Sequence, residues 1–276
     1  MNRMLSCLVV TLFILCHTTL TAQEALVILH TNDTHSRIEP LPPTDRSAPD
    51  LGGVVRRATY INQVREENKQ VLLFDAGDFL QGTPYFNLFK GEVEVKAMNM
   101  MRYDAVTLGN HEFDYGLKVL EKVVRLATFP FVSSNYDFSD TPLAGLIKPY
   151  LILKKGKLRI GVIGLNIQPR GLIATANYEG MKYNDPIKTA NELASKLRRE
   201  YKCDLVVCLS HLGYEKDLNL AESSRHIDLI IGGHSHTYLQ EPTERLNLDN
   251  KPVTIYQTNG RGAYAGRMDL TLEQMK

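Results

Sequence analysis

The chain is 276 residues long, 43% hydrophobic and 23% charged, without a low-complexity tract; that suffices for one large α/β domain with a substantial core and excludes an intrinsically disordered chain. Its formal net charge is only +1, which leaves no electrostatic case for nucleic acid as a partner.

Met1 to Ala22 carries one charge, Arg3, then an apolar centre from Leu8 to Leu15 and small or polar residues up to Thr21-Ala22, the layout of a secretory signal peptide. The apolar centre is shorter than the roughly 20 residues a spanning helix needs, which argues against a membrane anchor. Leu15 stands where a lipoprotein signal carries a small residue, which argues against lipid attachment at Cys16. The expected mature domain is residues 23–276, exported to a periplasmic or extracellular location. Loss of Arg3 takes the basic residues from 32 to 31, equal to the 31 acidic ones. Cys7 and Cys16 leave with the leader. Cys203 and Cys208, roughly 16 Å apart on an extended strand, cannot bridge each other and are expected as core thiols.

Ala25 to Thr31 is an apolar run of buried-strand type that delivers Asn32-Asp33-Thr34-His35 at its end. A carboxylate and an imidazole at i and i+2 past a strand can converge on one zinc, manganese or iron ion. Ser36 to Pro49, rich in Pro and polar residues, is an expected exposed loop. Gly52-Gly53 opens an amphipathic helix with Val54, Ala58, Ile61 and Val64 on one face. Val71 to Phe74 is the next strand and ends in Asp75-Ala76-Gly77-Asp78. Glycine at 77 permits a tight turn facing Asp78 inward, where a carboxylate can bridge two metals; Asp75 competes, but is expected beneath the site on backbone donors.

Helices are expected from Glu92 to Tyr103 and from Gly116 to Ala127; between them the apolar run Asp104 to Leu108 leads into Gly109-Asn110-His111-Glu112-Phe113-Asp114. Asn110 offers a neutral oxygen ligand, His111 an imidazole that can hold or give a proton, and Asp114 a carboxylate able to orient that imidazole. Alone, this stretch could equally be a turn with a satisfied histidine. Pro130 to Asn135 reads as a short strand, Tyr150 to Leu153 with Leu158 to Leu165 as a hairpin, and Asp185-Pro186 as the start of a helix to about Tyr201. Strands Asp204 to Leu209 and Asp228 to Ile231 end in Ser210-His211 and in Gly232-Gly233-His234-Ser235-His236. Beyond Pro242 antiparallel strands are expected at Glu244 to Leu248, Val253 to Thr258 and Arg267 to Leu272, with no second domain.

Of seven histidines after the leader, five (His35, His111, His211, His234, His236) follow apolar strands, while His30, inside a strand, and His226, near a helix end, are expected in core or surface roles. Five strand ends bearing ligand-type residues are hard to explain as packing, because buried polar groups cost free energy unless something pairs with them. A bound metal pair supplies that partner.

Asp33-x-His35, Gly77-Asp78-x-x-x-Gly82, Gly109-Asn110-His111-Glu112, His211 and Gly233-His234-x-His236 together resemble the ordered blocks of the calcineurin-like metallophosphoesterases. Leu29 to His35, Asp75 to Phe79 and Gly109 to Asp114 are similar, more narrowly, to the catalytic domain of the secreted 5'-nucleotidase and UDP-sugar hydrolase branch. The resemblance implies a four-layer α/β/β/α sandwich with two divalent ions, zinc or manganese, at the strand ends. It implies Asp33, His35 and His236 on one ion, Asn110, His211 and His234 on the other, and Asp78 between them. His111 would stand beside the incoming phosphate, steadied by Asp114. Two such ions lower the pKa of water towards about 7 and clamp phosphoryl oxygens.

Relatives of that branch usually carry a C-terminal domain that holds the base, and this sequence stops before one. Three explanations stand: a separately encoded partner, a domain acting alone on less discriminated esters, or a truncated product. The expected activity is a 5'-nucleotidase-type hydrolysis of nucleotides. Alternatives are 2',3'-cyclic nucleotide phosphodiesterase, UDP-sugar pyrophosphohydrolase, and a metal-stapled binding subunit without turnover.

Overall fold

A computed structural model describes residues 26–271; the leader expected at 1–22 lies outside them. The chain forms β1 (Leu26–Thr31), α1 (Val54–Glu67), β2 (Val71–Asp75), α2 (Pro84–Phe89), α3 (Glu92–Met101), β3 (Ala105–Val106), α4 (Leu117–Leu126) and β4 (Tyr136–Asp137). It continues through β5 (Tyr150–Lys155), β6 (Leu158–Asn166), β7 (Lys182–Tyr183), α5 (Pro186–Arg199), β8 (Leu205–His211) and α6 (Tyr214–Glu222). It closes with β9 (Leu229–Gly232), β10 (Thr243–Leu246), β11 (Pro252–Tyr256) and β12 (Gly266–Leu270).

Two sheets carry the fold. One has the order β12-β1-β2-β3, the other β10-β11-β9-β8-β6-β5, and β4 with β7 makes a small ribbon. Strands β1, β2 and β3 run parallel, as do β6, β8, β9 and β11. Strands covered on both faces are apolar at nearly every position, and β1, β2 and β8 are buried throughout.

Alternation along the strands sorts side chains between layers. Val27, Leu29, Val71 and Leu73 pack outward with Ile61, Val95 and Leu120 of the helices α1, α3 and α4. Leu26, Ile28, Leu72 and Phe74 point the other way, against Ile160, Val162, Val207 and Ile231 of the second sheet. The far face of that sheet is covered by Ala190, Ala194 and Leu197 of α5 and Leu220 of α6. The result is the four-layer α/β/β/α sandwich. Each fully buried aliphatic or aromatic side chain in these layers contributes about 1.5–3 kcal/mol.

Helix α5 starts as its sequence predicts: Asp185 caps it, accepting the Lys188 N–H, with proline in the first turn. Cys203 and Cys208 are buried free thiols, although Cys203 precedes β8 and only Cys208 lies in it.

The structure corrects three expectations. Pro130 to Asn135 forms only isolated bridges, Val106 with Phe131 and Val132 with Lys148. Pro130 has no N–H to give, and the backbone further on divides its bonds among Val106, Lys148 and Gly164, so no continuous ladder forms with one strand. Strands β10 and β11 pair antiparallel, but β11 runs parallel to β9, and β12 crosses to pair antiparallel with β1. Alternation shows that one face is buried, not which sheet edge is satisfied. Helices α2 and α6 were not anticipated, being short and weakly periodic.

Candidate active site

The functional candidates leave the carboxyl ends of parallel strands in both sheets, the end where open α/β sheets place ligands. The loops after β1 and β2 run side by side: the N–H groups of Asp33, His35 and Ser36 donate to the carbonyls of Gly77, Asp78 and Phe79 at 2.9, 3.0 and 2.9 Å. Gly77 has φ +89°, and a Cβ there would lie 2.5 Å from the Gly109 nitrogen, so the turn sensed in the sequence is one only glycine makes.

Asp33, His35, Asp78, His234 and His236 all sit at positive φ, between 47° and 71°. Such conformations cost of order 1–3 kcal/mol each and persist where the surroundings over-determine them, a pattern concentrated at functional sites.

The seven strand-end candidates are brought together. Asp33, His35 and His236 form one cluster of ligand atoms, and Asp78, His211 and His234 a second, with all atoms of each within 4.8 Å of one another. His35 Nε2 faces His236 Nε2 at 2.9 Å, and His236 Nε2 lies 3.4 Å from Asp33 Oδ1. His211 Nε2 lies 3.9 Å from the same Asp33 oxygen and 3.1 Å from Asp78 Oδ2, so the clusters share a wall. Asn110 joins the second cluster, its Oδ1 3.0 Å from His234 Nδ1.

Supporting bonds hold this arrangement. His211 Nδ1 donates to the Ala76 carbonyl at 2.7 Å, which sets the tautomer and leaves Nε2 facing the carboxylates. The His234 N–H donates to Asp33, and the His111 N–H to Asp78 Oδ1 at 2.8 Å. Asn32 donates to Asp33 Oδ2 and accepts from the N–H and hydroxyl of Thr258, tying the β1 loop to the segment after β11. Asp75 lies beneath, taking the Gly77 N–H at 2.9 Å and the Thr31 hydroxyl at 2.6 Å.

At the mouth, His111 Nδ1 donates to Asp114 Oδ2 at 2.9 Å, leaving Nε2 for the cavity. That cavity, of about 450 Å³, is lined by His35, Asp78, Asn110, His111, His234 and His236, and also by Arg37, Gln81, Leu172 and Arg261. The last four escaped the sequence reading; Arg261, inside Gly260-Arg261-Gly262, carried the clearest signal, a cation in a glycine-rich loop. Arg261 is anchored by Asp45 and by the Ser47 hydroxyl. Glu112 was also missed as a support: its carboxyl accepts the N–H groups of Asp78, Leu80 and Gly109. His30 lies in the core between the sheets and His226 in a half-buried turn.

The imidazoles are pulled in opposite directions. Burial lowers His35 and His234. The bond to Asp33 raises His236, and the bond to Asp114 raises His111 to about 9. Burial would lower His211, but the charge and close approach of Asp78, the Asp33 charge and the Ala76 carbonyl together outweigh it and hold the ring at about 10. Burial would raise Asp78, but His211, then His35 and His111, keep it well below the usual carboxylate range. Burial, then the Asp78 charge, pushes Glu112 up to about 8.

Two buried nitrogens, His35 Nδ1 and His211 Nε2, make no hydrogen bond, the second despite its 3.1 Å approach to Asp78. Facing imidazole nitrogens, carboxylates and an amide oxygen form a donor set suited to divalent first-row cations. The residues therefore fit a metal pair.

Comparison with known proteins agrees. Residues 26–238 match the calcineurin-like phosphoesterase family model. The chain is 35% identical over 249 residues to the snake venom 5'-nucleotidase of Crotalus adamanteus, covering 86% of this chain and 42% of that protein. It is 32% identical over 281 residues to the trifunctional nucleotide phosphoesterase protein YfkN of Bacillus subtilis, covering 90% of this chain and 18% of that one. The crystal structure of a 5'-nucleotidase precursor from Thermus thermophilus superposes with a TM-score of 0.82 at 35% identity, over 90% of this chain and 51% of that one. The chain thus spans about half or less of the length of these relatives. The matched stretch contains both ligand clusters and the His111–Asp114 pair, and the chain belongs to the calcineurin-like phosphoesterase family.

Proposed function

We propose that this chain is the catalytic part of an exported 5'-nucleotidase-type enzyme that hydrolyses nucleotide phosphate esters. Asp33, His35 and His236 would hold one divalent cation, zinc or manganese, and Asn110, His211 and His234 the other, with Asp78 between them. Such a pair supplies Lewis acidity towards phosphoryl oxygens and activates water at neutral pH.

The chain's own groups do the rest. Arg37 and Arg261 line the cavity and bring guanidinium groups to its wall, the Arg261 charge being offset by its ion pair with Asp45. His111, held at Nδ1 by Asp114, presents Nε2 to the cavity and gives its proton to the leaving oxygen. The Asp78 carboxylate orients this histidine's backbone through the His111 N–H.

The observation that carries the reading is the convergence of two ligand clusters and an oriented imidazole on one cavity. Export rests on the leader-like residues 1–22; among the described residues no helix is long and apolar enough to cross a membrane. The relatives extend well beyond the matched stretch, and a substrate-binding half, separately encoded or otherwise, would supply recognition of the base.

The test is to load the purified chain with zinc or manganese and assay AMP, UDP-glucose, a 2',3'-cyclic nucleotide and bis-p-nitrophenyl phosphate. The expected result is preferential release of phosphate from AMP. Preference for the cyclic nucleotide would favour the 2',3'-cyclic nucleotide phosphodiesterase reading. No turnover of any ester, with metal bound, would leave a metal-stapled binding subunit.

A further inference from the structure

Behind the active-site wall, between the loop after β1 and helices α1 and α3, lies a second, small cavity of about 20 Å³, room for one water molecule. About half of its lining is apolar, including Val54, Phe79 and Met98. Five polar residues break that lining: Thr34, Ser36 and three charged ones, Arg37, Arg57 and Glu94. Arg57 and Glu94 are 9% and 4% exposed, so both are more than nine-tenths buried.

Each of the three has a buried polar atom without a hydrogen-bond partner: Arg37 Nε, Arg57 Nε and Glu94 Oε2. The Ser36 hydroxyl donates to Glu94 Oε1, and Arg57 Nη2 donates to the Arg37 carbonyl at 3.4 Å. Leaving three buried polar atoms unpaired would cost about 1–3 kcal/mol each, so an occupant is called for.

The count of donors and acceptors selects it. Two N–H groups donate and one carboxylate oxygen accepts, which matches a water accepting twice and donating once. A bare anion would meet Glu94, and a bare cation would meet two guanidinium groups.

We propose that this cavity binds one ordered water that accepts from Arg37 Nε and Arg57 Nε and donates to Glu94 Oε2. Arg37 lines this cavity and the active-site cavity alike. Through the water, Glu94 on α3 and Arg57 on α1 act as positioning residues that hold the Arg37 guanidinium in the catalytic wall. The kinetic consequence rests on the phosphoesterase reading above; the water itself does not.

Two measurements test it. A high-resolution crystal structure of the metal-loaded chain is expected to show one density peak within hydrogen-bond reach of all three atoms. A dry cavity overturns the proposal, whether or not the protein proves to be a phosphoesterase. Kinetics on p-nitrophenyl phosphate then compare Glu94→Met, which removes the acceptor, with Glu94→Gln, which keeps one. Glu94→Met should raise KM about fivefold, the worth of one hydrogen bond, with kcat changed by less than about twofold; Glu94→Gln should stay near wild type. In an Arg37→Met background the KM effect of Glu94→Met should vanish. An equal KM effect in both backgrounds would overturn the positioning role. If Glu94→Met does not fold, the wild-type density decides.

Discussion

Glu112 accepts the backbone N–H of Asp78 at 3.0 Å from beneath, so a carboxyl that faces no substrate sets where the central carboxylate of the site stands. The same side chain takes the N–H groups of Leu80 and Gly109, binding the loops after β2 and β3 to each other. Glu112→Ala leaves three buried donors unpaired and should cost about 3–5 kcal/mol. Urea unfolding of the chelator-treated protein measures this, and a loss below about 1 kcal/mol would show that the loops are held otherwise.

The His111 N–H donates to the Asp78 carboxylate at 2.8 Å, yet the two residues should answer differently to mutation. His111→Ala removes the proton donor and should lower kcat by about 10²- to 10⁴-fold while bound metal, measured by atomic emission, is kept. Asp78→Asn should lose both turnover and metal. Equal metal loss in the two variants would contradict the division of roles.

Gly109 is the point of closest approach between the two loops. A Cβ there would fall 2.1 Å from Asp78 Oδ1 and 2.7 Å from the Asp78 nitrogen, and both belong to a carboxylate and backbone already held. Gly109→Ala should therefore weaken metal binding at least tenfold, on the order of 1.4 kcal/mol, while the far-UV circular dichroism stays unchanged. Wild-type affinity in a metal titration would show that the loop yields freely.

His30 is fully buried between the sheets, its ring 5.8 Å from that of Tyr256, with neither nitrogen bonded. Burial lowers it from 6.5 to about 3, so the folded chain keeps it neutral where the unfolded chain takes up a proton. Between those values the unfolded state binds more protons, and stability falls as pH falls, at up to about 1.4 kcal/mol per pH unit. Above pH 6.5 the residue adds no pH dependence. His30→Leu should remove this contribution, so that its stability relative to wild type improves steadily from about pH 6 to about pH 4 in denaturant titrations. A constant difference across that range would mean that the ring is protonated in the fold.

Apolar runs such as Leu26–Thr31 and Leu205–His211 announced themselves as strands because both faces are covered, and a strand buried on both faces needs apolar residues at nearly every position. The capping of α5 by Asp185 was equally legible, since a cap is a contact between residues three apart. The polar residues at or just past the ends of such strands, Asp33, His35, Asp78, Asn110, His111, His211, His234 and His236, could be named for the same local reason.

What only tertiary structure decided is where they meet. The left-handed turns at Asp33, His35, Asp78, His234 and His236 are held because the loops after several strands bond to one another, and bonds such as His234 N–H to the Asp33 carboxylate span most of the chain. The pairing of β12 with β1, the Glu112 brace and the Arg37–Arg57–Glu94 cavity belong to the same class. Each depends on residues tens to hundreds of positions apart, and local periodicity carries no information about which distant partner a buried polar atom or a free sheet edge will find.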